Sequence, residues 1–311
     1  MFLFDAIFPV VAVAGLGYVA RAFAVFSETE TNAIEKLAFW FLLPCLLFYG
    51  TATAAFPAQM NWPYIGGFYL VILCVYGFGM VVGRMMFGYS LRELSVFGMA
   101  GTYANVTILG IPIILQVLGE AALVPMLLVI TIHNLILYTL GTVLAELREA
   151  GAVGGINAKL LRIGKEMLLN PISGCLLLGA AWNLSGVGFF PSLAATFELV
   201  RPAAVPACLF ALGAGLFRYR IRGAISAACV ISLIKLLVQP LVMWWMLHHV
   251  LGVDLFYAKT AVMLAAMPVG VSVYVFSRRY QGCETATATA IVLTSLGSIL
   301  SISFFVWLLE L

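Results

Sequence analysis

The stretch Gly101-Thr-Tyr-Ala-Asn-Val-Thr-Ile-Leu-Gly-Ile-Pro112 lies in the middle of an apolar segment long enough to cross a bilayer, yet it holds residues for which a plain spanning helix has little use. Pro112 has no N–H, and its ring clashes with the carbonyl four residues back, that of Ile108. In hydrocarbon a freed carbonyl costs several kcal/mol unless a donor meets it. Asn105, Thr107 and Gly110 beside it can repair or bend backbone. The stretch therefore predicts a helix broken at mid-depth, buried in protein or lining a wet cavity. The same device recurs at Ala266-Met-Pro-Val-Gly-Val-Ser272, with Pro268 and Gly270. Two interrupted segments in matching halves of a membrane protein point to a transport site.

The rest of the chain fits that setting. Of its 311 residues 64% are hydrophobic and 9% charged, where soluble domains carry about a quarter charged residues. Nearly all of it belongs in a bilayer. Met1–Val10 has no Lys or Arg, so the first apolar segment is expected to stay as a span rather than act as a secretory signal. Ten segments of about 19–29 residues meet the spanning criterion: 2–20, 33–55, 62–87, 95–117, 122–146, 167–185, 196–217, 223–251, 255–278 and 285–309. Thirteen of the sixteen basic residues fall on one side of this arrangement; Arg201 and Lys259 fall on the other, and Lys235 lies inside the eighth segment. The rich side is the cytoplasmic one. Both termini are then expected outside the cytoplasm, in a plasma (cell inner) membrane. The net charge of +3 describes this topology and not nucleic-acid binding.

The most polar connection, 147–166, divides the chain into repeats of five spans each, 1–146 and 167–311. Pro9 and Pro171 are 162 residues apart, as are Pro44 and Pro206, while Pro112 and Pro268 are 156 apart. An odd number of spans per repeat makes the repeats inverted in topology. The expected fold is all-α and polytopic, with ten transmembrane helices in two inverted five-helix repeats.

Each candidate feature has a structural reading beside its functional one. A proline at the first position of a second half-helix leaves amides there without partners, and two such ends meeting at mid-membrane attract an anion. The other reading is an ordinary proline kink. Lys235 is the one basic residue deep in a span. Such a charge is a functional candidate by default; it can face a substrate carboxylate or bond to the carbonyls of the broken helices. No Asp or Glu lies deep in any predicted span, which argues against a cation exchanger built on a buried carboxylate pair. His133 can titrate near neutrality and couple a proton, or simply bond across helices. Pro44 marks a kink in the second segment. The six cysteines show no metal spacing, His248-His249 lack that of a zinc site, and no P-loop, GxGxxG or nucleophile elbow is present. Ser232-Leu-Ile-Lys235 matches SxxK inside a span without the rest of an acyl-enzyme site. No metal, cofactor or enzymatic activity is expected.

Four stretches resemble the auxin efflux carrier (PIN-like) family of secondary transporters: Asn105-Val-Thr-Ile-Leu-Gly-Ile-Pro112, Leu43-Pro-Cys-Leu-Leu-Phe48, Asn170-Pro-Ile-Ser-Gly174 and Ala265-Ala-Met-Pro-Val-Gly-Val-Ser-Val-Tyr-Val-Phe276. The likeness covers the whole chain and is that of a compact, prokaryotic member. It implies broken, crossing fourth and ninth helices, a scaffold of helices 1, 2, 6 and 7 that carries a homodimer contact, and organic-anion substrates such as malate, malonate or auxin-like acids. The substrate site it implies lies around Asn105, Thr107, Ile111 and Pro112, with Met267, Pro268 and Val269 opposite and Lys235 beside the crossing. Gly110, Gly270 and Pro44 shape the breaks. The expected function is secondary transport of a small organic anion by alternating access in a lipid membrane. A sodium- or proton-coupled cation exchanger and a membrane ligand sensor that moves nothing are the alternatives, separated from it by counter-ion dependence and by ligand-dependent flux.

Overall fold

The structure, a computed structural model, describes residues 2–54, 61–146, 171–217 and 223–311; the connection at 147–166 lies outside the described residues. These residues form helices and, among them, no strand; the one extended pairing is an isolated bridge between Ala104 and Val269. In chain order the helices are α1 (Phe2–Ala22), α2 (Glu28–Thr53), α3 (Trp62–Phe87), α4 (Leu91–Ala100), α5 (Ile111–Leu118), α6 (Leu123–Glu146), α7 (Pro171–Ser185), α8 (Pro191–Gly215), α9 (Ile225–Val250), α10 (Leu255–Ala265), α11 (Val271–Arg279) and α12 (Glu284–Leu308). Five of them (α2, α3, α8, α9 and α12) are long and apolar enough to cross a membrane. The fourth and ninth predicted segments are each split, into α4 and α5 and into α10 and α11.

Helix ends follow local chemistry. Ser27 with Glu30, and Ser90 with Glu93, form capping boxes that start α2 and α4. The Asn61 side chain accepts the Tyr64 amide at the start of α3, and Asp254 accepts the amides of Phe256 and Tyr257 at the start of α10. α3 stops at Gly88, whose φ of +66° suits glycine, and Arg84 donates to the carbonyls of Gly88 and Tyr89 beyond it.

Three of the prolines inside helices are handled in one way, whereas Pro9 lies in α1 without it. A π-turn runs over Ala38–Leu42, Val106–Gly110 and Ile234–Val238, and each ends two residues before a proline: Pro44, Pro112 and Pro240. The residue four before each proline (Trp40, Ile108 and Leu236) is the middle one of its π-turn. The wider turn moves aside the carbonyl that the ring would otherwise strike. One freed carbonyl has a visible donor, since Ser301 Oγ bonds to Leu236 O at 2.6 Å. Pro44 therefore lies at a π-turn inside α2. Pro112, expected at the break itself, lies at the start of α5, and the break falls earlier, at Thr102–Asn105. The physical reason is that the π-turn absorbs the missing N–H without ending the helix.

The chain forms two compact units, one of residues 1–60, 107–131 and 167–218 and the other of 61–106, 132–166 and 219–311. They cut across the repeats read from the sequence. The first unit groups α1, α2, α5, α7 and α8 with the start of α6. Its helices meet through glycine: a Cβ at Gly213 would collide with the carbonyl of Ala14, and one at Gly17 with the carbonyl of Phe210, so α1 lies directly on the backbone of α8. α7 lies on α2 in the same manner, with Gly179 against the carbonyl of Phe48. Asn183 then donates to the carbonyls of Ala52 and Ala54, both at 2.8 Å, at the end of α2. The second unit packs α3, α4, most of α6 and α9–α12 around buried Tyr64, Tyr76, Phe97 and Phe305. In it α3 and α4 pack at Gly98, where a Cβ would strike the Tyr76 ring, and the Tyr76 hydroxyl donates to Ser95 O at 2.6 Å.

Gly213→Leu is expected to lower stability by about 1–3 kcal/mol through overpacking. Gly15→Ala, on α1 where a Cβ meets nothing within 4 Å, should stay within about 0.5 kcal/mol of the parent. Thermal unfolding of the two purified proteins checks this; equal losses would mean that the α1–α8 approach is not tight.

Candidate functional site

The second unit contains the break that the sequence points to. After α4 the chain runs extended through Tyr103, Ala104 and Asn105, and after α10 through Pro268, Val269 and Gly270. The two extended pieces lie antiparallel. Asn105 N–H donates to Pro268 O at 2.7 Å, and Gly270 N–H donates to Tyr103 O at 3.0 Å. Each break thus satisfies backbone groups of the other. Gly270 has to be glycine for this, because a Cβ there would stand 2.7 Å from the Tyr103 ring. Pro268 does not open the second half-helix. It lies in the extended link, where it needs no donor of its own, and α11 starts at Val271 with Gly270 as its cap.

Two carbonyls at the ends of the first half-helices are met from α9. Lys235 Nζ donates to Ala265 O, the last residue of α10, at 2.5 Å, and to Gln239 Oε1 at 2.7 Å. Gln239 Nε2 passes the contact on to Thr102 O, just after α4, at 3.1 Å. Lys235, Gln239 and Thr102 are all fully buried. The π-turn at Ile234–Val238 lies between the two side chains. The cationic nitrogen therefore stands against the carbonyl end of a half-helix, where positive charge is favourable. Of the two partners expected for Lys235, a helix-end carbonyl is the one seen here, that of Ala265.

Which amides stay open is decided by α12. Thr294 Oγ1 accepts the Val269 amide at 3.1 Å and donates to Ala290 O at 2.7 Å. Met267 and Val269 are fully buried. Val273 N–H turns back to Gly270 O. Among the described residues the amides of Val271 and Ser272 receive no acceptor, and α11 has no side-chain cap. These residues are also the first after the break that are only partly buried. The anion-attracting end of the half-helix is thus at Val271–Ser272, three residues beyond Pro268. The Tyr138 hydroxyl donates to Ser272 O at 3.3 Å.

The predicted site residues divide between the units. Asn105, His133, Lys235, Met267, Pro268, Val269 and Gly270 belong to the second, and Thr107, Gly110, Ile111 and Pro112 to the first. Thr107 and Gly110 lie in the π-turn that leads into α5, and Ile111 is fully buried. Asn105 is 7% exposed. His133 is buried in an aromatic surround, with ring centroids of Tyr103, Phe68 and Tyr69 at 5.3, 6.2 and 6.4 Å. Its Nε2 has no hydrogen-bond partner among the described residues. Sequence reasoning passed over Gln239, Thr294 and Ser301. The signal was there for Gln239, a polar side chain one helical turn beyond Lys235 in an apolar span, and for Thr294 in a span with several buried hydroxyls.

The model of the membrane transport protein family matches residues 2–306. A protein of Rhizobium meliloti (strain 1021), named as a candidate malonate transporter, is 25% identical over 252 residues, which cover 79% of this chain and 75% of that protein.

Gln239→Leu removes the acceptor of Lys235 and strands the Thr102 carbonyl. It is expected to cost about 1–3 kcal/mol of stability. Adding Lys235→Met should cost less than the sum of the two single changes, because the side chains form one network. A thermal-unfolding double-mutant cycle measures this, and strict additivity would refute the network.

Proposed function

We propose, for a chain that belongs to the membrane transport protein family, the auxin efflux carriers, a secondary carrier of small organic anions that works by alternating access. Its membrane-embedded, multi-pass character and its role in transport follow from the family and from the apolar helices. The observation that carries the anion reading is the start of α11, where the Val271 and Ser272 amides have no acceptor among the described residues. Amides at a helix start hold carboxylates well.

In this reading a substrate carboxylate takes those amides, and Asn105, opposite Pro268 on the neighbouring extended piece, is a proposed contact. Lys235 does not have to touch it. While holding the Ala265 carbonyl it lowers the cost of a negative charge at mid-depth. Met267, Pro268 and Val269 are further proposed contacts in the same unit, and Thr107, Ile111 and Pro112 keep the role that the family resemblance implies. The substrate class is small carboxylates, of which malonate is the first to test, since the Rhizobium relative carries that name. The ten-span, inverted-repeat arrangement is part of the proposal. It is supported by a packing match: Gly17 and Gly179 are 162 residues apart, as are Phe48 and Phe210, and each glycine lies against the carbonyl of the phenylalanine in the other half. That is the offset of two of the three proline pairs, Pro9 with Pro171 and Pro44 with Pro206. Both termini outside the cytoplasm, an inner-membrane location and a homodimer complete the reading.

Purified protein in liposomes, loaded on one side with radiolabelled malonate and a panel of other small carboxylates, tests it. Uptake of at least one carboxylate is expected, and Lys235→Ala should reduce it at least tenfold, about 1.4 kcal/mol in the transport barrier. A chain that binds a carboxylate without moving it would be a sensor, and flux that needs no carboxylate would overturn the reading.

A further inference from the structure

His133 is a buried titratable side chain near the break that the proposed mechanism leaves unused. It is 5% exposed and its Nε2 has no hydrogen-bond partner among the described residues. A buried polar atom left in this way costs about 1–3 kcal/mol. The place of the ring suggests a role. It packs on Tyr103, which lies against Gly270, the cap of α11. The imidazole is thus one side chain removed from the helix start whose amides are open.

The groups around it are all of one kind. α3 presents Phe68 and Tyr69, with Tyr64 against Phe68; the extended strand presents Tyr103; α6 itself adds Tyr138, whose ring packs on Tyr103. Lys235 on α9 is a positive neighbour, which opposes a second positive charge on the ring. None of these is an anion near neutral pH. An imidazolium in this surround has no counter-charge, and a carboxylate seated at Val271–Ser272 would supply one.

We propose that His133 takes up a proton from water when the anion binds, so that substrate and proton enter the site together. The bookkeeping is simple: the carboxylate stays ionised, and the imidazole Nε2 lone pair accepts one proton. By reciprocity, a proton that favours the anion is itself favoured by the anion to the same degree. This rests on the anion-carrier reading and names its coupling ion.

The chain has three histidines, so the proton can be seen directly. The double variant His248→Gln/His249→Gln keeps the whole chain and leaves His133 as the only imidazole. With 15N-labelled histidine, in lipid nanodiscs near neutral pH, the ring should show a neutral pattern alone and an imidazolium pattern with saturating malonate. Malonate affinity, by calorimetry on the same sample, should fall up to about tenfold per pH unit as pH rises. His133→Gln should flatten that slope while malonate still binds. A ring that stays neutral with malonate bound, or is charged without it, overturns the proposal and leaves the carrier reading standing. If neither malonate nor any of the other carboxylates binds, the carrier reading falls, and this proposal with it.

Discussion

The rest of this structure depends on one constraint, that a backbone group inside a membrane protein must find its partner within the protein. Two helices are interrupted here, and an interruption exposes carbonyls on one side and amides on the other. The repairs are specific. The extended pieces bond to each other through Asn105 with Pro268 and Gly270 with Tyr103. Lys235 takes the Ala265 carbonyl and Gln239 the Thr102 carbonyl. Thr294 takes the Val269 amide, and Ser301 the Leu236 carbonyl opposite Pro240. Among the described residues the first amides of α11, Val271 and Ser272, have no such partner.

The same accounting applies to the two roles a buried lysine can have. A lysine ammonium has three N–H donors, so two bonds to the protein still leave one. Lys235 bonds to a side-chain amide and a helix-end carbonyl, both buried. Its charge still acts over several ångström in a medium of low dielectric. A positive group can therefore hold the backbone together and favour an anion nearby without touching it. Gln239 makes this possible by joining the lysine to the other half-helix, so that one side-chain pair closes the ends of both.

Small residues do the corresponding work in the other unit. Gly17 and Gly213 bring α1 onto α8, and Gly179 brings α7 onto α2, close enough that a Cβ would overlap a carbonyl. Lipid-facing helices have little hydrophobic drive to associate, so close backbone contact takes its place. Helices 1, 2, 6 and 7 of the sequence reading (α1, α2, α7 and α8 here) fall together in this unit.

Much of this was legible in the sequence. Composition placed the chain in a bilayer, the polar and proline-bearing stretches marked both breaks, and Lys235 stood out as the deep charge, because each is a local departure from what hydrocarbon tolerates. Local patterns do not say which partner meets a freed group. Pro112 and Pro268 looked like equivalent helix starts, yet one lies in the first turn of α5 behind a π-turn and the other in an extended link. Gln239, Thr294 and Ser301 looked like ordinary polar residues in apolar spans, and Val269 like an open amide. Their roles depend on residues 25 to 137 positions away in the chain meeting across the fold. The sequence by itself determined that two helices break and where the charge lies; only the tertiary structure decided which backbone groups those breaks leave free, because a hydrogen bond between distant segments is a property of their packing and not of either segment.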